Sequence, residues 1–81
     1  MFLYELQPGE SGIVTHVDGS GELTFRLLEM GIIRGTKITV DRLAPLGDPM
    51  VIAVQGFILS LRKTEAAMIS VKKELKKGLL L

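Results

Sequence analysis

The sequence predicts a mainly β domain with one short helix, its five strands curling into a small barrel. Three observations carry this prediction. Short segments rich in β-branched residues recur at close spacing, with side chains assignable to opposite faces at period two. Clusters of Gly, Pro, Asp and Ser punctuate the intervals between them. One stretch of helical period falls between the first two segments. Short strands so closely spaced satisfy most of their edges by curling the sheet on itself.

Leu3 and Leu6 lead to the turn cluster Pro8-Gly9-Glu10-Ser11-Gly12, which introduces a first strand over residues 13–17. Strict alternation puts Ile13, Thr15 and Val17 on one face, with Val14 and His16 on the other. Asp18-Gly19-Ser20-Gly21 ends the strand, and Ser20 is the expected N-cap of a helix over 22–30, with Glu22 where the helix dipole favours an anion. Gly31 can take the left-handed conformation that stops it. Leu23, Leu27 and Met30 form the stripe expected to dock on the sheet, while Glu22, Arg26 and Glu29 form another. Phe25 and Leu28 point away from both stripes. They either widen the buried face, the first expectation, or stand exposed at a binding surface.

The second and third strands are expected at 37–43 and 50–55, around a loop that cannot itself pair. Pro45 and Pro49 each fix φ, lack a backbone donor and bias the preceding residue toward extended conformation. Gly47-Asp48 is the expected point of reversal. A projecting loop stiffened by two prolines offers a contact surface. Gly56 makes a tight reversal into a fourth strand over 57–61, with Phe57, Leu59 and Leu61 on one face. A single helical turn over 64–67 and a fifth strand over 68–72 complete the domain. Residues 1–72 are thus read as the barrel and 73–81 as a C-terminal tail.

A domain of 81 residues buries only about 60% of the surface its unfolded chain exposes. Yet 47% of the residues are hydrophobic and mean hydropathy is +0.37, so surplus apolar surface is expected to meet a partner or another copy. The start of the chain lacks the pattern of a signal peptide, and the apolar run at 50–54 is far short of the roughly 20 residues that span a bilayer. A cytoplasmic location is expected. The absence of cysteine excludes disulfides, thiolate zinc sites and cysteine nucleophiles. A net charge of +1 gives no electrostatic case for nucleic acid.

Catalysis needs a nucleophile, a base and an orienting group in one cleft. One histidine, His16, on a strand face does not supply them, so no enzyme activity is expected. Gly19-Ser20-Gly21 begins like a phosphate-binding loop but lacks both the later glycine and the lysine, and reads as a turn plus cap. His16 with Asp18 is a fragment of an iron site, and Met30, Met50 and Met68 are expected in the core. No cofactor and no intrinsic metal site are therefore expected. Lys72, Lys73, Lys76 and Lys77, with Leu79 to Leu81, could lie near anionic head groups, but a solvated tail is the expectation.

Leu43-Ala44-Pro45-Leu46-Gly47-Asp48-Pro49, preceded by Arg26-Leu27, Gly31 and Gly35 and followed by Leu61-Arg62, Glu65-Ala66, Ile69 and Val71, resembles the FeoA family. These are small cytosolic ferrous iron transport proteins. The resemblance runs from Leu3 to about Lys72, with one departure: the family usually has proline where this chain has Arg34. It implies an SH3-like five-stranded barrel, and a role in iron homeostasis as accessory or regulator of ferrous iron uptake, with transition-metal association at most at the level of the system. The implied partner is the cytosolic part of the membrane ferrous iron transporter FeoB, which would recruit the protein to the inner face of the membrane. The residues expected at that contact are Arg26 and Leu28 on the helix, Pro45, Leu46 and Asp48 on the loop, and Arg62. With no Trp, the aromatics Phe2, Tyr4, Phe25 and Phe57 do not justify proline-peptide binding. Two other readings are an SH3-like regulatory domain of the kind found in metal-dependent repressors, whose DNA-reading helices have no room ahead of Met1, and a homo-oligomeric scaffold.

Overall fold

A computed structural model describes residues 1–19 and 21–75. After a 3-10 turn at Leu3–Glu5 come β1 (Ser11–Val17), α1 (Glu22–Glu29), β2 (Lys37–Leu43), β3 (Met50–Val54), β4 (Phe57–Leu61), α2 (Lys63–Ala66) and β5 (Ile69–Glu74). The strands form one antiparallel sheet in the order β4-β3-β2-β1-β5. Leu61 of β4 and Ile69 and Val71 of β5 lie at opposite ends of that order yet belong to one buried cluster, with Leu27, Ile38, Val40, Ile52 and Val54. The sheet therefore curls around a single core. Leu3 and Leu6, both fully buried, plug it beside α2 and β5.

Two bulges help the sheet bend. The β1–β5 register shifts between Val14 and His16, and the β2–β3 register between Val40 and Arg42. Such an extra residue bends its strand and raises its local twist. It also corrects the expected faces of β1. Val14 faces the core, and because Thr15 is the inserted residue His16 no longer shares that face: Thr15 and His16 are both exposed, and Val17 packs against the core instead. Strict alternation fails at the bulge because one residue is added without a partner.

Helix α1 follows the expected stripe: Leu27 is fully buried, and Leu23 and Met30 are half-buried. Thr24 is also buried, and its hydroxyl donates to the Asp18 carbonyl at 3.1 Å. The residue that starts the helix is Gly21, at φ 108°, with no side-chain cap; Ser20 lies outside the described residues. At the other end Gly31, at φ 86°, lets its own N–H reach the Leu28 carbonyl and the Ile32 N–H reach the Leu27 carbonyl, each at 3.0 Å. Leu27 and Ile32 are then buried together beneath this cap. Phe25 and Leu28 do not widen the core. They are 63% and 40% exposed, because Leu27 and Thr24 already fill the face turned to the sheet.

The chain enters β2 through a turn in which Thr36 N–H donates to the Ile33 carbonyl at 3.0 Å, with Arg34 second and Gly35 third at φ 92°. Proline is at home in the second position of such a turn. β3 and β4 are joined by Gln55-Gly56, both at positive φ, so β3 ends at Val54 and the two-residue hairpin is of the tightest kind. Of the three residues expected to share one face of β4, Leu61 is buried and Leu59 half-buried. Phe57, beside the hairpin tip, overshoots the core and is 69% exposed. β5 starts at Ile69 and continues to Glu74, past the expected end at Lys72, because Lys73 and Glu74 pair with Gly12 and Ser11. Lys73 is ion-paired with Glu10 and Glu74 with Lys37, so these residues belong to the sheet and not to a tail. The remaining tail residues, Lys76 and Lys77 and Leu79 to Leu81 among them, lie outside the described residues.

Candidate partner-binding surface

The loop between β2 and β3 is built from its prolines outward. Gly47 N–H donates to the Ala44 carbonyl at 2.7 Å, enclosing Pro45 and Leu46 as the two central residues of a β-turn. The reversal thus falls on Pro45-Leu46 and not on Gly47-Asp48. Proline's fixed φ suits the second turn position, and Gly47 follows at φ 82°. Ala44 N–H donates to the Pro49 carbonyl at 3.0 Å, so Pro49 closes the loop through its acceptor although it has no donor. The Asp48–Pro49 peptide is cis. Leu46 stands at the tip, 96% exposed, with Pro45 exposed beside it.

Asp48 does not project freely. Its Oδ1 accepts the backbone N–H of Lys63 at 3.0 Å, tying the loop to the first residue of α2. The buried Glu65 caps the same turn, its Oε1 accepting the Arg62 N–H at 2.8 Å. Arg62, exposed, is thereby held next to the loop. The Lys63 ammonium sits 5.4 Å from the centroid of the Tyr4 ring, and Tyr4 stacks on Phe2 at 5.7 Å with the planes 9° apart. One end of the molecule therefore gathers the 45–48 loop, α2 and an aromatic pair from the start of the chain.

Arg26 and Leu28 sit elsewhere. The end of α1 lies against the β3–β4 hairpin tip, where an added Cβ on Gly31 would stand 3.3 Å from Gln55 Oε1. The 45–48 loop leaves from the other end of β3. Four residue steps at about 3.3 Å each separate the two ends by about 13 Å. The structure thus brings together Pro45, Leu46, Asp48 and Arg62, and places Arg26 and Leu28 at the far end of the hairpin, where both are exposed. Sequence reasoning missed Tyr4, Lys63 and Glu65. A signal existed for Glu65, three residues after Arg62, the spacing of a reciprocal helix cap. Nothing in the sequence linked Phe2 and Tyr4 to α2, since that contact joins positions about 60 residues apart.

His16 Nε2 lies 3.7 Å from Asp18 Oδ1, with both side chains mostly in solvent. Among the described residues no three His, Cys, Asp or Glu side chains converge as a metal cluster would require. Met50 is buried, and Met30 and Met68 pack against the core. Among the described residues no helix is long and apolar enough to cross a membrane.

The model of the FeoA domain matches residues 1–73. A Porphyromonas gingivalis protein described as an Fe(2+) transport protein A/Fe(2+) transporter FeoB fusion is 40% identical over 72 residues. That match takes in 89% of this chain and 8% of the fusion protein, so the chain spans only a small part of its relative's length. The FeoA-like protein from Clostridium acetobutylicum superposes with a TM-score of 0.87 at 34% identity, covering 94% of this chain and 88% of that one. Stenotrophomonas maltophilia FeoA, solved in complex with zinc and described as an SH3 domain protein, superposes with a TM-score of 0.80 at 27% identity, covering 91% and 95%. A manganese-dependent transcriptional repressor shares the fold at a TM-score of 0.82 over 90% of this chain and 40% of its own, but at 16% identity the likeness is one of fold alone. The barrel is SH3-like, and the chain belongs to the FeoA family.

Proposed function

We propose that this protein is an accessory or regulatory factor of ferrous iron transport that docks on the cytosolic part of a FeoB-type transporter and performs no chemistry of its own. The observation that carries the reading is the fusion protein. There, a segment 40% identical to this chain is part of the same polypeptide as the transporter. Covalent linkage holds two modules at a high effective concentration, and wherever the two are on separate chains a noncovalent contact takes its place. The 45–48 end supplies one: Leu46 offers a fully solvated apolar side chain on a loop restrained by Pro45 and by the Asp48–Lys63 bond. A pre-ordered loop loses little conformational entropy on binding, which favours affinity. Arg26 and Leu28 form a second point of contact if the transporter spans the hairpin. Docking recruits a cytoplasmic protein to the inner face of the membrane. Neither a resident metal nor a cofactor enters this reading.

The test is a calorimetric titration of the protein into the cytosolic part of its transporter, with Leu46→Asp and Leu28→Asp variants in parallel. Saturable binding weakened by Leu46→Asp is expected; equal binding by the wild type and both variants would reject this surface.

A further inference from the structure

The two edges of the sheet differ. The outer edge of β5 is covered by the chain's own start: Phe2 bridges to Ser70, and Val71 N–H donates to the Met1 carbonyl at 2.8 Å. The outer edge of β4 has no such cover among the described residues. Hairpin geometry fixes which groups it presents. Val54 and Phe57 flank a two-residue turn and face each other as the closing pair, so along β4 the backbone groups of Ile58 and Ser60 point away from β3. Natural edge strands are usually guarded by charge, proline or a bulge. Residues 57–61 carry no charge and no proline, and their pairing with β3 has no register shift. Phe57 and Ile58 are 69% and 60% exposed.

We infer that β4 is a self-association edge, pairing antiparallel with β4 of a second copy to make a two-fold dimer with a continuous ten-stranded sheet. The occupant follows from the self-complementarity of the strand. A two-fold axis beside Leu59 pairs Ile58 of each copy with Ser60 of the other and satisfies all four outward donors and all four outward acceptors. It also sets the exposed Ile58 side chains of the two copies diagonally across the axis on the outer face, giving each an apolar neighbour. No like charges meet, because Arg62 falls opposite Gly56 of the other copy. A five-residue edge buries well under the roughly 800 Å² per partner of a standard interface, so association is weak and rises with concentration. This surface is separate from the 45–48 end, and the inference does not depend on the transporter reading.

The experiment is sedimentation equilibrium of the full chain from micromolar to millimolar concentration, with amide hydrogen exchange across the same range. Two variants accompany the wild type. Ile58→Lys sets like charges diagonally across the axis, and Ser60→Pro removes an outward N–H while leaving the β3 ladder intact. The wild type should approach twice the monomer mass, with the Ile58 and Ser60 amides slowing as concentration rises; each variant should weaken association at least about tenfold. A monomer at every concentration would overturn the inference, as would equal association by all three proteins. Protection of the two amides independent of concentration would also overturn it, by showing that the chain covers its own edge. Loss of transporter binding in Ile58→Lys without any self-association would instead assign the edge to the transporter.

Discussion

Replacing Asp48 separates the architecture of the 45–48 loop from its contact role. Asp48 Oδ1 holds the Lys63 N–H at 3.0 Å across 15 positions of sequence, and in Asp48→Ala that first-turn donor of α2 is left to water. A hydrogen bond to an ionised acceptor contributes about 1.5–3 kcal/mol when shielded. Asp48 is exposed, so water recovers part of that loss, and the helix-cap range of about 0.5–2 kcal/mol is the better guide. A cost of about 1 kcal/mol in a domain of this size lowers Tm by about 4–8 °C. Asp48→Asn keeps an oxygen that can accept the same N–H and should recover most of the loss. The assay is thermal and urea unfolding of the three proteins, with exchange of the Lys63 amide followed site by site. That amide should exchange faster in Asp48→Ala by about fivefold, the factor equivalent to 1 kcal/mol. Unfolding of Asp48→Ala at the wild-type midpoint would refute the reasoning, as would equal losses for Ala and Asn.

Gly12→Ala should destabilise by about 1–3 kcal/mol in urea unfolding, since its Cβ would stand 3.0 Å from two carbons of the Val71 side chain and 3.2 Å from the Lys72 carbonyl oxygen. Arg34→Pro should stabilise by about 0.4–1 kcal/mol, because the residue occupies the second turn position and its backbone N–H donates to no carbonyl among the described residues. Leu46→Asp should leave the unfolding free energy in urea within about 0.5 kcal/mol of wild type, as the side chain touches little of the fold. The same change should weaken transporter binding at least about tenfold in calorimetry, the consequence of losing one buried leucine at a contact.

Period two was a good guide wherever the ladder ran without interruption. The bounds of β2 and β4 match the expected ones to the residue and those of β3 to within one, and in β2 the alternation that buries Ile38 and Val40 holds up to the bulge after Val40. At Thr15 the same reasoning inverted, because a bulge leaves no mark in a run of β-branched residues. The central loop was legible as a loop, but its turn position was not. Pro45 and Gly47 both favour reversal, and the bond from Gly47 to Ala44 settled the competition in favour of the proline. Phe25 and Leu28 are hydrophobic enough to be expected in the core, and the small barrel has no room for them. The six residues expected at a contact, Arg26, Leu28, Pro45, Leu46, Asp48 and Arg62, are exposed polar and apolar side chains that the resemblance singles out. Their division between two ends of the β3–β4 hairpin is a tertiary fact, set by Gln55 packing on Gly31 and Asp48 bonding to Lys63.

The central claim is a noncovalent contact between this chain and the cytosolic part of a FeoB-type transporter. The direct measurement is titration of the full chain against that part, in the presence and absence of GTP, by calorimetry and light scattering. The account predicts saturable binding that Leu46→Asp weakens without lowering the protein's stability. No binding in either nucleotide state would contradict it.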